Sequence, residues 1–147
     1  MRLTIELVPS SCWYSNLRNT IGQYAWNKIR KQAYLVAGYR CQVCGAYGKL
    51  YCHEVWEYDD VKLVQKLLGF TALCDLCHMV KHIGYAQIRA MEGELDFNLV
   101  IRHFMQVNRC SREDYEKAVA LAWQVWEKRS DFEWSCDFGE YEELIKR

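Results

Sequence analysis

Cys41 and Cys44 form one Cys-x-x-Cys pair, and Cys74 and Cys77 form a second, with 29 residues between them. Each pair suits a tight turn. Two such turns bring four thiolates to one ion, with metal–sulfur bonds of about 2.3 Å for zinc. A four-sulfur shell is closed, so the ion it holds supports structure and leaves no position for a substrate. Cys52-His53-Glu54 lies between the pairs, and His78 follows Cys77 directly, with His82 four residues later. On a helix, positions i and i+4 share a face, so His78 and His82 can address a second ion together. A neutral imidazole near pKa 6.5 can also take a proton from water at neutral pH.

These groups need elements to hold them. Residues 3–8 alternate like a strand that Pro9 ends. Asn19 or Thr20 can cap a helix to about Ala37, with Ile21, Tyr24, Ile29, Ala33 and Val36 as its apolar stripe and Gly38 ending it in the left-handed conformation. Leu50–Trp56 reads as a strand carrying His53, and Asp59-Asp60 as a turn. Residues 61–68 fit either a helix or a returning strand, and the strand is preferred. A helix starts at the second cysteine pair and ends near Gly84, or continues through Ala86–Met91. Further helices are expected from Asp96 to Val107, and from Ser111 to Lys128 with Asp114 completing a near capping box. The aromatic tail, Phe132–Phe138, should pack back onto the core.

Composition limits what this assembly can be. The 147 residues are 51% hydrophobic with one proline, enough for a single packed domain over 1–147 and unlike a disordered chain. No apolar run is long enough to span a membrane, and the first residues lack the apolar region of a signal peptide. A cytoplasmic setting is therefore expected. Disulfides are rare there, so eight cysteines point to metal. Cys12, Cys110 and Cys136 stand alone and read as small core residues. Net charge is zero but unevenly spread: residues 1–90 hold eleven Lys+Arg against six Asp+Glu, and residues 91–147 hold eight against thirteen. The basic part can face phosphates.

The segment Cys41-Gln-Val-Cys44-Gly, the strand with His53, and Leu73-Cys74-Asp-Leu-Cys77-His78-Met-Val-Lys81-His82 resemble the HNH endonucleases, also described as ββα-metal or His-Me finger nucleases. Ala37-Gly38-Tyr39-Arg40-Cys41 matches their lead-in. Cys52-His-Glu-Val-Trp-Glu-Tyr-Asp-Asp60, Ser11-Cys-Trp-Tyr14-Ser-Asn16 and Trp126-Glu-Lys-Arg129-Ser130 are similar to a branch of small bacterial proteins in that family. The resemblance runs over nearly the whole chain, with its specific motifs in 38–84.

It implies an α+β fold: a zinc-stabilised, treble-clef-like ββα finger over 38–84, flanked by N-terminal helices and a C-terminal helical extension over 96–147. It also implies metal-dependent hydrolysis of DNA phosphodiester bonds, with His53 as general base. His78, His82, Cys52 and Glu54 would then hold a catalytic Mg²⁺, Mn²⁺, Ni²⁺ or Zn²⁺. Arg40, Lys49 and Lys81 are expected at phosphates. Two positions depart from the pattern. Gly69 stands where an asparagine should orient the base, with Gln65 the only nearby amide, and the ligand before the base is a soft thiolate, Cys52. One competing expectation is a non-catalytic zinc module that binds nucleic acid or a protein partner; another is a purely structural zinc protein whose acidic C-terminal part makes an interface, with Trp123, Trp126 and Trp134 either anchoring a partner or buried in the core.

Overall fold

A computed structural model describes residues 1–13 and 15–145. Tyr14, part of one family-like segment, lies outside the described residues. The architecture is α+β, with one three-stranded sheet surrounded by helices.

The centre of the molecule is a long hairpin. Strand β1 (Tyr51–Asp59) pairs antiparallel with β2 (Val64–Leu73), so residues 64–68 are strand, as preferred from sequence. The pairing slips by one residue: Val55 faces Gly69, but Trp56 faces Leu67. Leu68 is thus a bulge residue, and Gly69 beside it adopts φ 157°. L side chains rarely adopt that conformation, which accounts for glycine here. A short strand β3 (Ser135–Asp137) adds to β2 in parallel. The sequence marks this segment only as an aromatic tail.

Helix α3 (Asp75–Lys81) begins at Cys74, whose sulfur accepts from the Cys77 backbone N–H. The chain turns at His82 and re-enters helix as α4 (Ile83–Met91). Gly84 therefore does not end a helix. It lies under the Trp123 indole, where an added Cβ would stand 3.4 Å from the ring. Helix α5 (Phe97–Asn108) follows, then α6 (Arg112–Ser130), opened by a complete Ser111/Asp114 capping box.

Two expectations at the N-terminus differ. Residues 3–8 do not join the sheet. They run over α3 as an irregular segment tied by Glu6 N–H to Lys81 C=O (3.2 Å), and at Leu3 by the Asn108 side chain. The helix expected over 19–37 is two helices, α1 (Leu17–Ile21) and α2 (Gln23–Val36), broken at Gly22 with φ 82°. The expected stripe of α2 is also partly wrong: Tyr24 and Val36 are exposed, and Trp26 is the buried residue. Alternation and helical periodicity report which residues are apolar. They do not report which neighbour arrives to cover them.

Two cores result. The larger joins α3–α6 around Leu73, Val80, Ile83, Val100 and Phe104, beneath the N-terminal segment at Leu3. The smaller lies on the other face of the hairpin, around Leu17, Ile21, Trp26, Leu67 and Phe138. Trp134 is buried, with its indole N–H donating to Arg129 C=O at 2.7 Å.

Candidate metal centres

The four sulfurs of Cys41, Cys44, Cys74 and Cys77 lie within 4.8 Å of one another and can hold one metal ion. The first pair sits on a turn closed by Gly45 N–H to Cys41 C=O (2.9 Å), with Cys41 N–H donating to Ala46 C=O. The second pair sits at the start of α3. A tetrahedron with bonds of about 2.3 Å places sulfurs ~3.8 Å apart, and the Cys44–Cys74 separation is 3.6 Å. Hydrogen bonds from Cys77 pull the Cys74 thiol down to about 3, while the same contact pushes the Cys77 thiol up. Cys74 is thus the sulfur favoured as thiolate, among neighbours that burial and mutual repulsion hold protonated; a bound cation would favour the thiolate form of all four. His103 of α5 brings Nε2 to 3.1 Å from Cys77 Sγ. An N–H donor to a ligating sulfur fixes and tunes that ligand. In the sequence, His103 is marked only by its place on one face of an amphipathic helix.

The second group comprises His53, His78 and His82, whose ligand atoms also lie within 4.8 Å of one another. His53 reaches the group from β1, while His78 is on α3 and His82 is at the α3–α4 junction. His53 Nδ1 faces His82 Nε2 at 3.2 Å, close to the ~3.3 Å that two nitrogens take around an ion in a tetrahedral shell. His78 Nδ1 is buried with no hydrogen-bond partner among the described residues, an arrangement that costs free energy unless something binds it. Burial, reinforced by the neighbouring imidazoles, lowers His78 to about 3 and His82 to about 4, so both are neutral and offer lone pairs at pH 7. The donor set fits a divalent ion that accepts imidazole, such as Zn²⁺, Mn²⁺ or Ni²⁺.

Glu6 was not among the residues singled out from sequence. Its Oε2 lies 3.1 Å from His53 Nε2, and its Oε1 accepts from Lys81 Nζ at 2.7 Å. Burial opposes its ionisation. The hydrogen bonds from His53 and Lys81 outweigh that and bring it from 4.5 down to about 2. An ionised carboxylate only accepts, so His53 Nε2 donates to Glu6, and Nδ1 is the nitrogen that faces the cluster. Glu6 thereby orients the ring, a task the sequence pattern gave to the position of Gly69. Across the sheet, His53 pairs with Thr71, and Gly69 faces Val55. Gln65 is no substitute: it is buried, with Nε2 3.9 Å from Cys136 Sγ.

The remaining expected site residues separate. Cys52 and Glu54 alternate with His53 along β1 and are outside the three-histidine group. Cys52 packs into the smaller core, and burial pushes its thiol up to about 12. Glu54 is occupied by the start of α1, accepting the Arg18 N–H at 3.2 Å, and its carboxyl is raised by burial against those backbone bonds. Lys81 is buried and paired with Glu6 and Thr4, which removes it from any phosphate. Arg40 is exposed over the Tyr47 ring (4.2 Å), and Lys49 is exposed over Tyr51 (5.2 Å). The Tyr51 ring stacks on His78, with centroids 5.2 Å apart.

The histidine cluster opens on two sides. A cavity of about 950 Å³ is walled by Ile5, Trp13, Tyr85, Ile88, Trp123 and Trp126, among others. A second, of about 410 Å³, runs between α2 and the start of β1, and His78 lines both. No helix among the described residues is long and apolar enough to cross a membrane. Comparison with models of protein families, with curated proteins and with solved structures returned no match.

Proposed function

We propose that this chain is a metal-dependent phosphodiester hydrolase acting on DNA. In this reading the four cysteines hold a structural zinc ion, and His53, His78 and His82 hold a second divalent ion. One observation carries it: three imidazoles converge on a single point beside a four-sulfur knuckle, with a buried His78 nitrogen left unpartnered. The resemblance of residues 38–84 to the ββα-metal finger of HNH endonucleases supports the same reading.

A divalent ion in such a site supplies Lewis acidity and lowers the pKa of bound water. The chain's own residues do the rest. His53 Nδ1 and His82 Nε2 lie 3.2 Å apart. Glu6 holds the His53 proton on Nε2, and Lys81 holds Glu6. In this reading His53 is a ligand through Nδ1, whereas the resemblance makes it the general base. The α3–α4 junction fixes the separation of His78 and His82.

The competing reading is a non-catalytic zinc module that binds nucleic acid. Its specific support is Gly69, which puts no side chain where the family-like pattern expects an amide. Nicking of supercoiled plasmid by the zinc-loaded protein, with Mg²⁺, Mn²⁺, Ni²⁺ or added Zn²⁺, separates the two. The hydrolase reading expects cleavage in at least one metal and its loss in His82→Ala. Absence of cleavage in every metal by a folded, metal-loaded protein refutes it.

A further inference from the structure

The cavity of about 410 Å³ lies within the range of small-ligand sites. Arg18, Arg30 and Lys49 line it together with Trp26, Tyr34 and Tyr51, and no Asp or Glu is among its lining residues. The three cations come from separate pieces of chain: α1, α2 and the approach to β1. None forms an ion pair with a carboxylate among the described residues. Arg30 Nε donates to Asn27 Oδ1 (2.9 Å), Arg18 lies over the Trp26 ring (5.8 Å), and Lys49 lies over Tyr51. Each therefore keeps donors for a further partner. Elsewhere in the fold Lys81, Arg89 and Arg129 are all matched by acids. Three positive charges line one concavity, with Glu54 at the Arg18 backbone N–H the carboxylate beside them, and the net positive field favours anions.

The pocket also ends at the metal centre. Tyr51 links its Lys49 side to His78 by stacking, and His78 forms part of its wall. We propose that Arg18, Arg30 and Lys49 form a phosphate subsite that binds the DNA backbone at a phosphate neighbouring the one held at the histidine cluster. This rests on the hydrolase reading for its substrate, and it names the side from which the strand reaches the site. Guanidinium groups grip phosphate oxygens in pairs, and Lys49 adds a mobile point charge.

The test uses the full, metal-loaded chain as wild type, Arg30→Gln/Lys49→Gln and Lys117→Gln. Lys117 is exposed on α6 and pairs with Glu113, so it gives a single-charge control outside the pocket. Binding of a short fluorescein-labelled DNA duplex is followed by anisotropy across a KCl series. Hydrolysis of bis(p-nitrophenyl) phosphate, which has no neighbouring phosphate, is followed in parallel. The double variant should keep its metal and bind DNA on the order of tenfold more weakly at moderate salt. Its plot of log affinity against log salt should be shallower by about 1.8, at ~0.9 per lost phosphate contact. Lys117→Gln should match wild type. A double variant whose affinity and salt slope match those of Lys117→Gln overturns the subsite, even where wild type hydrolyses both substrates. Salt-dependent DNA binding that the double variant loses, from a protein that hydrolyses neither substrate, supports the subsite and overturns the hydrolase reading instead. Wild type that binds no DNA overturns the subsite.

Discussion

Replacing Glu6 by glutamine removes the charge that joins Lys81 to His53 while keeping the side chain's shape. The carboxyl falls from 4.5 to about 2 on folding, which corresponds to ~3.4 kcal/mol at 1.36 kcal/mol per unit. The Glu6 side chain is 42% exposed, and solvent screening brings that ceiling down to about 1–2 kcal/mol. Lys81 is only 8% exposed, so the variant also leaves a buried ammonium with Thr4 Oγ1 as its remaining partner. Glu6→Gln should therefore cost about 2 kcal/mol at pH 7 in urea unfolding of the metal-loaded protein. Lys81→Met removes the same pair from the other end. The double variant should lose about 1–2 kcal/mol less than the two single losses added together. Because the folded value lies below the unfolded one, this contribution is complete above pH 4.5 and is lost as pH falls towards 2. Strictly additive losses would refute the claim that Glu6 and Lys81 act as one unit behind His53.

Cys44→Ser/Cys77→Ser should abolish tight zinc binding and the cooperative unfolding transition, read by zinc analysis and circular dichroism, because metal affinity in such sites is folding free energy. His103→Ala should keep four-thiolate coordination but lose about 10- to 100-fold in zinc affinity, measured by competition with a chelator, since the donor to Cys77 is gone. Gly84→Leu should destabilise by about 1–3 kcal/mol in the same unfolding assay by forcing side-chain atoms into the Trp123 ring. Ser111→Ala should cost about 1 kcal/mol by removing the cap of α6.

The four cysteines were legible because turn-borne Cys-x-x-Cys pairs need no knowledge of the fold between them. His78 and His82 were legible because helical spacing fixes their common side, although the helix breaks at His82 itself. Glu6, His103, Arg18 and Arg30 were not legible. Glu6 and His103 meet their partners across a long stretch of chain: Glu6 meets His53 47 residues on, and Cys77 meets His103 26 residues on. Neither separation leaves a periodic mark. The resemblance put Cys52 and Glu54 with the metal, but a strand sends successive side chains to opposite faces, and neither belongs to the three-histidine group. The bulge at Leu68 had no signal except Gly69, which had been read as a missing asparagine and is a backbone requirement instead.

The proposed hydrolase requires two chemically different metal centres side by side. Native mass spectrometry of the protein purified and dialysed with Zn²⁺ counts them directly. Two ions per chain are predicted for wild type and one for His78→Ala/His82→Ala, with the remaining ion lost only when Cys44 and Cys77 are also replaced. One ion in wild type, or two in the histidine double variant, would contradict the account.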